Sequence, residues 1–391
     1  MTKNFNFHIP TKIVFGPGKE EEAGSLLTEF GASKVLVVIG RNSVVKSGLL
    51  NRVLKSLENY NLPYAILKGV RANPTFDLVE EGKKLVLENG IDFILAIGGG
   101  SVIDTAKCIA VNALHDGDIR DFNYHKIVPT KALPVGVVLT ISAAGSEMSN
   151  SCVIQDDQFN KKMGFNSELV RPVFAIENPE LTYSVSPEQT AYGVVDILMH
   201  TLERYFSDSD KYELADELAL GLIKHVLDVG LTAYKEPENY NARAKLMLAS
   251  SISHCGFTSI GKGYTMPVHQ LEHAVSGKFP KIAHGLGLAV LFPGWLEEYL
   301  PYEKRKLVKL GKQVFHLQGD NYEIASGVIR EFKKYFKKLG MPSSLEEIGI
   351  YEKDIPVLVD IVSAKGARVI NHRSHPMDAE VMASVYSRVL R

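Results

Sequence analysis

The chain has 391 residues, 45% hydrophobic and 23% charged, with a formal net charge of −1. That length exceeds one ordinary core and predicts two domains, and the charge balance lacks the basic excess of a nucleic-acid binder. No apolar run approaches the about 18 residues of a membrane span, so no membrane partner is expected. The start MTKNFNFHIPTKIVFG has no secretion-signal pattern. Cys108, Cys152 and Cys255 are widely separated and make neither a disulfide framework nor a zinc motif, which fits a reducing, cytoplasmic setting.

Residues 5–15 alternate enough to predict an edge hairpin with Pro10 at its turn. From residue 19, amphipathic stretches alternate with continuous apolar ones: AGSLLTEFG, KVLVVIG, NRVLKSLENYN, PYAILKGV, FDLVEEGKKLVLENG and DFILAIGGGSVIDTAKCIAVNAL. Apolar strands between helices argue for a Rossmann-like α/β domain over residues 1–180, its parallel sheet covered on both faces. Ligands of such sheets sit beyond the carboxyl ends of the strands.

Gly98, Gly99, Gly100 and Ser101 stand between a strand and a helix. Glycines there let the backbone approach an anion, and the helix start offers N–H donors; a plain tight turn is the other reading. Asp104 is expected in the first turn of that helix, where it could cap amides. The first βα unit has no GxGxxG; Gly40, Arg41, Asn42 and Ser43 follow its strand instead, with Lys46 close behind. An acidic residue here would bind the ribose hydroxyls of NAD, whereas a 2′-phosphate wants donors. The absence of a carboxylate favours NADP(H), with NAD(H) as the alternative. Further on, LPVGVVLTISAAGSEMSNSCVI leads a strand into a loop of small hydrogen-bonding residues, Thr140, Ser142, Gly145 and Ser146. Lys162, beside Lys161, reads on its own as a solvent-facing charge.

Near Asn178-Pro179 the composition changes, and residues 181–391 predict an all-helical domain. Ser186, Pro187 and Gln189 open a helix over 187–206 with a capping signal. Asp196 and His200, four apart, share one face of it. Residues 210–234 and ENYNARAKLMLASSISHCGFTSIG predict two more helices. His269 and His273 lie i,i+4 in a helix that Gly277 and Pro280 should end, and His284-Gly285 opens another apolar run. YEKRKLVKLGKQVFHL is expected as a separate helix after that. One carboxylate and two or three imidazoles suit a divalent first-row metal, although an isolated His on an apolar helix is more often a core residue. His254 reads as such a core residue, and His372 and His375, around Arg373 and Ser374, as a polar surface loop.

GVVDILMHTLERYF and HQLEHAVSGKFPKIAHGLGLAVLFP resemble the two signature regions of the iron-containing alcohol dehydrogenases, most closely the butanol-dehydrogenase and broad aldehyde-reductase branch. The resemblance runs through most of the chain and implies the two-domain architecture shared with dehydroquinate synthase. It implies that Asp196, His200, His269 and His284 hold the metal, Fe(2+) in the first place, with Zn(2+) or another divalent ion also suited. His273 is implied to be a nearby non-ligand that handles substrate and protons. Gly98 to Ser101 match the pyrophosphate loop, ordered with the help of Asp104. Thr140, Ser142, Ser146 and Ser149 match the loop around adenine, diphosphate and nicotinamide ribose, and Lys162 a lysine near the nicotinamide. Gly40, Arg41, Asn42 and Ser43 resemble the NADP-using branch, except that Arg41 and Asn42 replace two usual glycines.

A small alcohol or aldehyde is the implied partner, and a homodimer built through the N-terminal segment the implied assembly. The expected activity is interconversion of butanol-like primary alcohols and aldehydes. A glycerol or diol dehydrogenase and a dehydroquinate-synthase-like lyase are the alternatives within the fold. A non-catalytic metal- or nucleotide-binding module is the alternative from another class.

Overall fold

The computed structural model describes residues 4–207, 213–373 and 375–391. Residues 1–3, the opening of the helix expected at 210–212, and Ser374 lie outside the described residues. Two compact units make up the chain: His8–Val185 with Arg243–Ser251, and Met1–Phe7 with Ser186–Ala242 and Ile252–Arg391.

The first unit carries strands β1 (Lys12–Phe15), β2 (Val35–Gly40), β3 (Tyr64–Val70), β4 (Phe93–Gly98), β5 (Val135–Leu139), β6 (Ser151–Asp156), β7 (Lys161–Asn166) and β8 (Phe174–Glu177). Six of them form one sheet in the order β1-β8-β5-β4-β2-β3, with every neighbouring pair parallel. β6 and β7 form a separate antiparallel pair. The helices are α1 (Ala23–Glu29), α2 (Ser43–Lys46), α3 (Leu49–Asn59), α4 (Phe76–Asn89) and α5 (Gly100–Asn112).

Successive strand side chains point to opposite faces, and both faces are covered. Val35, Val37 and Ile39 pack in one layer with α1 and α3, while Leu36 and Val38 pack in the other with α4 and α5. That two-sided burial is why the strands read as unbroken apolar runs. After β2 the chain steps outward to β3, then returns to β4 on the other side of β2. The order of strands therefore reverses between β2 and β4, the point where sheets of this kind bind ligands.

The hairpin expected over residues 5–15 does not form. Residues 4–11 have no regular secondary structure, and only Lys12–Phe15 make a strand, parallel to β8. The Lys12 N–H donates to Val173 O at 3.0 Å and the Gly16 N–H to Glu177 O at 2.9 Å, while Thr11 Oγ1 donates to Pro172 O at 2.6 Å. Residues 12–15 are thus fixed on β8, and a hairpin arm across Pro10 would lack one N–H.

The second unit is helical, as expected: α6 (Pro187–Phe206), α7 (Glu213–Lys235), α8 (Tyr240–His254), α9 (Pro267–Lys278), α10 (His284–Gln313), α11 (Asn321–Lys338), α12 (Ile355–Val362) and α13 (Ala379–Arg388). The middle of α8 belongs to the first unit. At the start of α6, Ser186 Oγ accepts from the Gln189 N–H at 3.2 Å with Pro187 in the first turn, the geometry the capping signal predicts.

The two helices expected between His284 and Leu317 are one, α10, running through Pro293 and Pro301. Each proline costs about 3 kcal/mol inside a helix. Against that, Leu288, Leu291, Phe292 and Leu296 are fully buried, and burial contributes about 1.5–3 kcal/mol for each. Packing wins over the local breaker.

Candidate metal centre and cofactor loops

In the helical unit, Asp196 and His200 lie one turn apart on α6, His269 in the first turn of α9, and His284 at the first position of α10. Gly285 explains how α10 starts so close. A Cβ there would lie 2.3 Å from Tyr192 O, so only glycine lets this backbone press on α6 one turn before Asp196. Donor atoms of Asp196, His200 and His269 fall within 4.8 Å of one another. Asp196 Oδ1 is 3.6 Å from His269 Nε2 and 3.8 Å from His284 Nε2. His273 stands beside this group, its ring centre 5.6 Å from that of His284 and 6.5 Å from that of His269. His273, His284 and Glu272 form a second group of close donor atoms.

The rings are held from behind. His269 Nδ1 bonds to Glu203, and His284 Nδ1 to Glu272; both glutamates are buried. Each carboxylate holds a proton on Nδ1, so Nε2 is the ring atom that faces Asp196 and would serve as the ligand once its own proton is lost. Glu203 also accepts from the Val268 N–H at 2.6 Å and the His269 N–H at 3.3 Å, so one carboxylate caps α9 and aims its ligand. His200 Nδ1 lies 3.0 Å from the Asp196 carbonyl oxygen, and its ring centre is 4.0 Å from that of His254, the two rings tilted by 33°. His254 thus lines the cluster rather than a distant core.

Asp196 Oδ1 and His269 Nε2 are buried and neither completes a hydrogen bond, although Oδ1 lies 3.1 Å from His200 Nδ1; polar atoms held so are costly to bury unless a further group joins them. Burial favours a neutral Asp196, but the imidazoles of His200, His269 and His284 hold its carboxyl well below the usual range. Burial pushes His200 down to about 4. Burial also opposes charge on His269, yet Glu203 and Asp196 outweigh it and lift it to about 9. In the metal-free chain a proton on His269 stands in for a cation. A hard carboxylate with borderline imidazoles is the donor chemistry of Fe(2+) or Zn(2+), so these residues fit a divalent ion.

In the sheet unit, the turns after β2 and β4 adjoin at the reversal point; a Cβ on Gly40 would lie 4.0 Å from Val102 Cγ2. Arg41, Asn42 and Ser43 are exposed, and Arg41 makes no ion pair among the described residues. Gly99 precedes α5, whose start has neither a side-chain cap nor an acidic residue in its first turn, which leaves its N–H groups for an anion. The glycines are also required by packing. A Cβ on Gly98 would meet Val102 at 2.5 Å, one on Gly99 would meet Ile141 at 2.3 Å, and one on Gly100 would meet Ala144 at 3.3 Å.

The loop after β5 closes over this turn, with the Thr140 N–H donating to Gly98 O at 3.1 Å. Ser142 Oγ is buried without a hydrogen-bond partner. Ser146 and Ser149 are buried, the Ser146 hydroxyl bonded to Asp104 of α5 and the Ser149 hydroxyl accepting from the Ser151 N–H. Asp104 is not in the first turn of α5 but is its fifth residue. It accepts from Ser146 Oγ at 2.6 Å and from the Val153 N–H at 3.0 Å, bonding the neighbouring loop instead of its own helix. Lys162 is half-buried on β7 and close enough to favour the charged form of Asp104.

Both halves of this arrangement match one family. The model described as "Iron-containing alcohol dehydrogenase" covers residues 10–179, and that described as "Fe-containing alcohol dehydrogenase family, C-terminal" covers residues 190–390. The chain belongs to the iron-containing alcohol dehydrogenase family. It is 36% identical over 389 residues to NADH-dependent butanol dehydrogenase A of Clostridium acetobutylicum, covering 98% of this chain and 99% of that one. It is 31% identical to the NADPH-dependent aldehyde reductase YqhD of Escherichia coli, covering 98% of each. A crystal structure of NADH-dependent butanol dehydrogenase A from Thermotoga maritima superposes with a TM-score of 0.95 at 33% identity, covering 100% of this chain and 99% of the other. As a member of this family the chain is an oxidoreductase of alcohols and aldehydes.

Sequence reasoning missed Glu203, Glu272 and Lys107 in this dehydrogenase. Glu203 follows Asp196 by seven residues, the same helical face two turns on, so a carboxylate on an otherwise apolar surface was the available signal. No helix of the described residues is long and apolar enough to cross a membrane.

Proposed function

We propose that this dehydrogenase interconverts butanol-like primary alcohols and their aldehydes in a metal-dependent reaction that favours NADP(H) over NAD(H), as a cytoplasmic homodimer. The observation that supports the metal is the convergence of buried donor atoms: Asp196 Oδ1 lies 3.1 Å from His200 Nδ1, 3.6 Å from His269 Nε2 and 3.8 Å from His284 Nε2, and His269 Nε2 has no hydrogen-bond partner. Asp196, His200, His269 and His284 would hold the ion, Fe(2+) first and Zn(2+) as a compatible substitute. A divalent ion there supplies Lewis-acid polarisation of the substrate oxygen, and a bound nicotinamide supplies or accepts the hydride.

The protein's own side chains do the rest. Glu203 and Glu272 fix the two rings, and His273, next to His284, gives or takes the proton at the substrate oxygen. The turn from Gly98 to Ser101 receives the diphosphate at the start of α5, with Thr140 and Ser142 on the facing loop, and Lys162 serves the nicotinamide end. Gly40 to Ser43 receive the adenosine ribose. The relatives' names divide between NADH and NADPH, and the exposed donors Arg41, Asn42 and Ser43, without a carboxylate, support NADP(H). β1, at the sheet edge with β8 on one side only, supports pairing of two copies.

The test follows nicotinamide absorbance with butanal and a panel of short aldehydes, using NADPH and NADH, before and after chelation. Turnover that is lost on chelation and restored by Fe(2+), with a higher kcat/KM for NADPH, is the expected result. Turnover indifferent to chelation overturns the metal reading, and a higher kcat/KM for NADH overturns the cofactor preference. No turnover on any aldehyde, with metal and dinucleotide both bound, favours a binding module.

A further inference from the structure

Arg204 is fully buried in the last turn of α6. It stands four residues beyond His200 and eight beyond Asp196, so the three share a face of the helix, with Arg204 about 6 Å further along the axis than His200. Its Nη1 donates to the His200 carbonyl oxygen at 2.7 Å. The Tyr264 ring centre lies 4.7 Å from the guanidinium carbon, which offers a quadrupole and no negative charge. Nε is buried without a hydrogen-bond partner, and among the described residues no carboxylate comes within ion-pair distance. The helix dipole favours a cation at this end, which accounts for an exposed arginine there. It does not account for a buried one, because a guanidinium taken out of water without an anion is costly.

The three imidazoles are therefore backed unequally. Glu203 grips His269 and Glu272 grips His284, whereas a cation is tied to the backbone of His200. Its field reaches that ring: burial first, then His269 and Arg204, keep a proton off His200 against the pull of Asp196. We propose that Arg204 is an internal charge that holds the bound iron in its divalent state. The proposal rests on the reading of Asp196, His200, His269 and His284 as ligands of Fe(2+). Arg204 touches neither the ion nor a substrate in this scheme; it acts through its field.

Repulsion by a fixed charge is proportional to the charge of the ion, so Arg204 opposes Fe(3+) half as strongly again as Fe(2+). The step it opposes is the loss of one electron from Fe(2+) to dioxygen, which gives Fe(3+) and superoxide. Alcohol and aldehyde interconvert by moving a hydride to or from nicotinamide, with no change in the oxidation state of the ion. The charge thus guards the centre without entering the chemistry. The same charge weakens the hold on every cation, which separates it from a merely structural role: a prop that is removed loosens Zn(2+), and a repulsive charge that is removed does not.

The experiment is a redox titration of the iron-loaded protein at about pH 7, following high-spin Fe(3+) by electron paramagnetic resonance, on wild type, R204K, R204Q and R204M. R204K keeps the charge, R204Q keeps a donor for the His200 carbonyl without the charge, and R204M keeps neither. We expect the Fe(3+)/Fe(2+) midpoint of R204Q and R204M to fall by at least about 59 mV, a tenfold change in the ratio of the two affinities for a one-electron couple, with R204K near wild type. Zn(2+) affinity by chelator competition should be equal or higher in R204Q. A wild-type midpoint in R204Q, or an equal fall in R204K, overturns the proposal while leaving the metal centre in place. A fall confined to R204M assigns the effect to the hydrogen bond on His200 and overturns it as well, and so does weaker Zn(2+) binding in R204Q. Should R204Q not fold, equal midpoints in R204M and R204K are the overturning result. A wild type that binds neither Fe(2+) nor Zn(2+) removes the centre itself, and Arg204's role with it.

Discussion

The proposed metal centre and the proposed cofactor loop are supported by differently charged layers. In the helical unit, the donors for a cation are held from behind by anions: Glu203 grips His269 and Glu272 grips His284. In the sheet unit, the loop facing the proposed diphosphate turn is held from behind by both signs: Lys107 gathers three carbonyls and Arg171 bonds Met148 O, while Asp104 takes the Ser146 hydroxyl. Only at the histidine cluster do the side chains that grip the donor rings carry a single sign, the one that would favour a cation. Polar groups of this kind are costly to bury, so the cost is incurred where it also selects a ligand.

Removing a ligand should produce the largest effect and test whether the two helical histidines differ in kind. His269→Ala should lose bound metal and with it activity, by about a thousandfold or more. His273→Ala should lower kcat by about 10²- to 10⁴-fold with metal content by elemental analysis near wild type. Equal metal loss in both variants would erase the distinction between ligand and proton handler.

Weakening the anionic support comes next. Glu203→Gln should reduce Fe(2+) or Zn(2+) affinity about 10- to 100-fold, read by chelator competition, with a smaller loss of thermal stability from the cap on α9. An unchanged affinity would mean that Glu203 serves the helix alone.

The smallest effect is a pH slope. In the metal-free chain His269 holds its proton up to about 9, so an arriving ion must displace it. Apparent metal affinity should fall about tenfold for each pH unit below that point, measured by competition titration. The sign for stability is the reverse. Because the folded pKa lies above the ordinary 6.5, protonated His269 stabilises the metal-free fold below about 6.5, and that contribution is lost as pH rises through about 9. Metal affinity independent of pH would place the ion away from His269.

How much of this was legible depended on whether local rules agreed with tertiary ones. α6 was legible because Ser186, Pro187 and an apolar face all point to one helix. The alternation of strands and helices was legible because two-sided burial leaves unbroken apolar runs. The continuity of α10 was not, since Pro293 and Pro301 are breakers locally and only the buried Leu and Phe side chains overrule them. Nor was the pairing of β1, whose partner β8 lies some 160 residues away. Asp196 with His200 and His269 with His273 stand out as i,i+4 pairs, the family resemblance adds His284, and the structure brings Asp196, His200, His269 and His284 close together with His273 beside them. Lys107 was not visible, because a lysine in SVIDTAKCIAVN looks like a charge turned to water until its carbonyl partners are known.

Glu203 receives the amides at the mouth of α9 and grips His269 with the same carboxylate. The direction in which that imidazole points is thereby set by the residue at which the helix begins. An insertion or deletion in the turn ahead of Pro267 would redirect the ring with every donor still present, so the length of that turn belongs to the site as much as the histidine does.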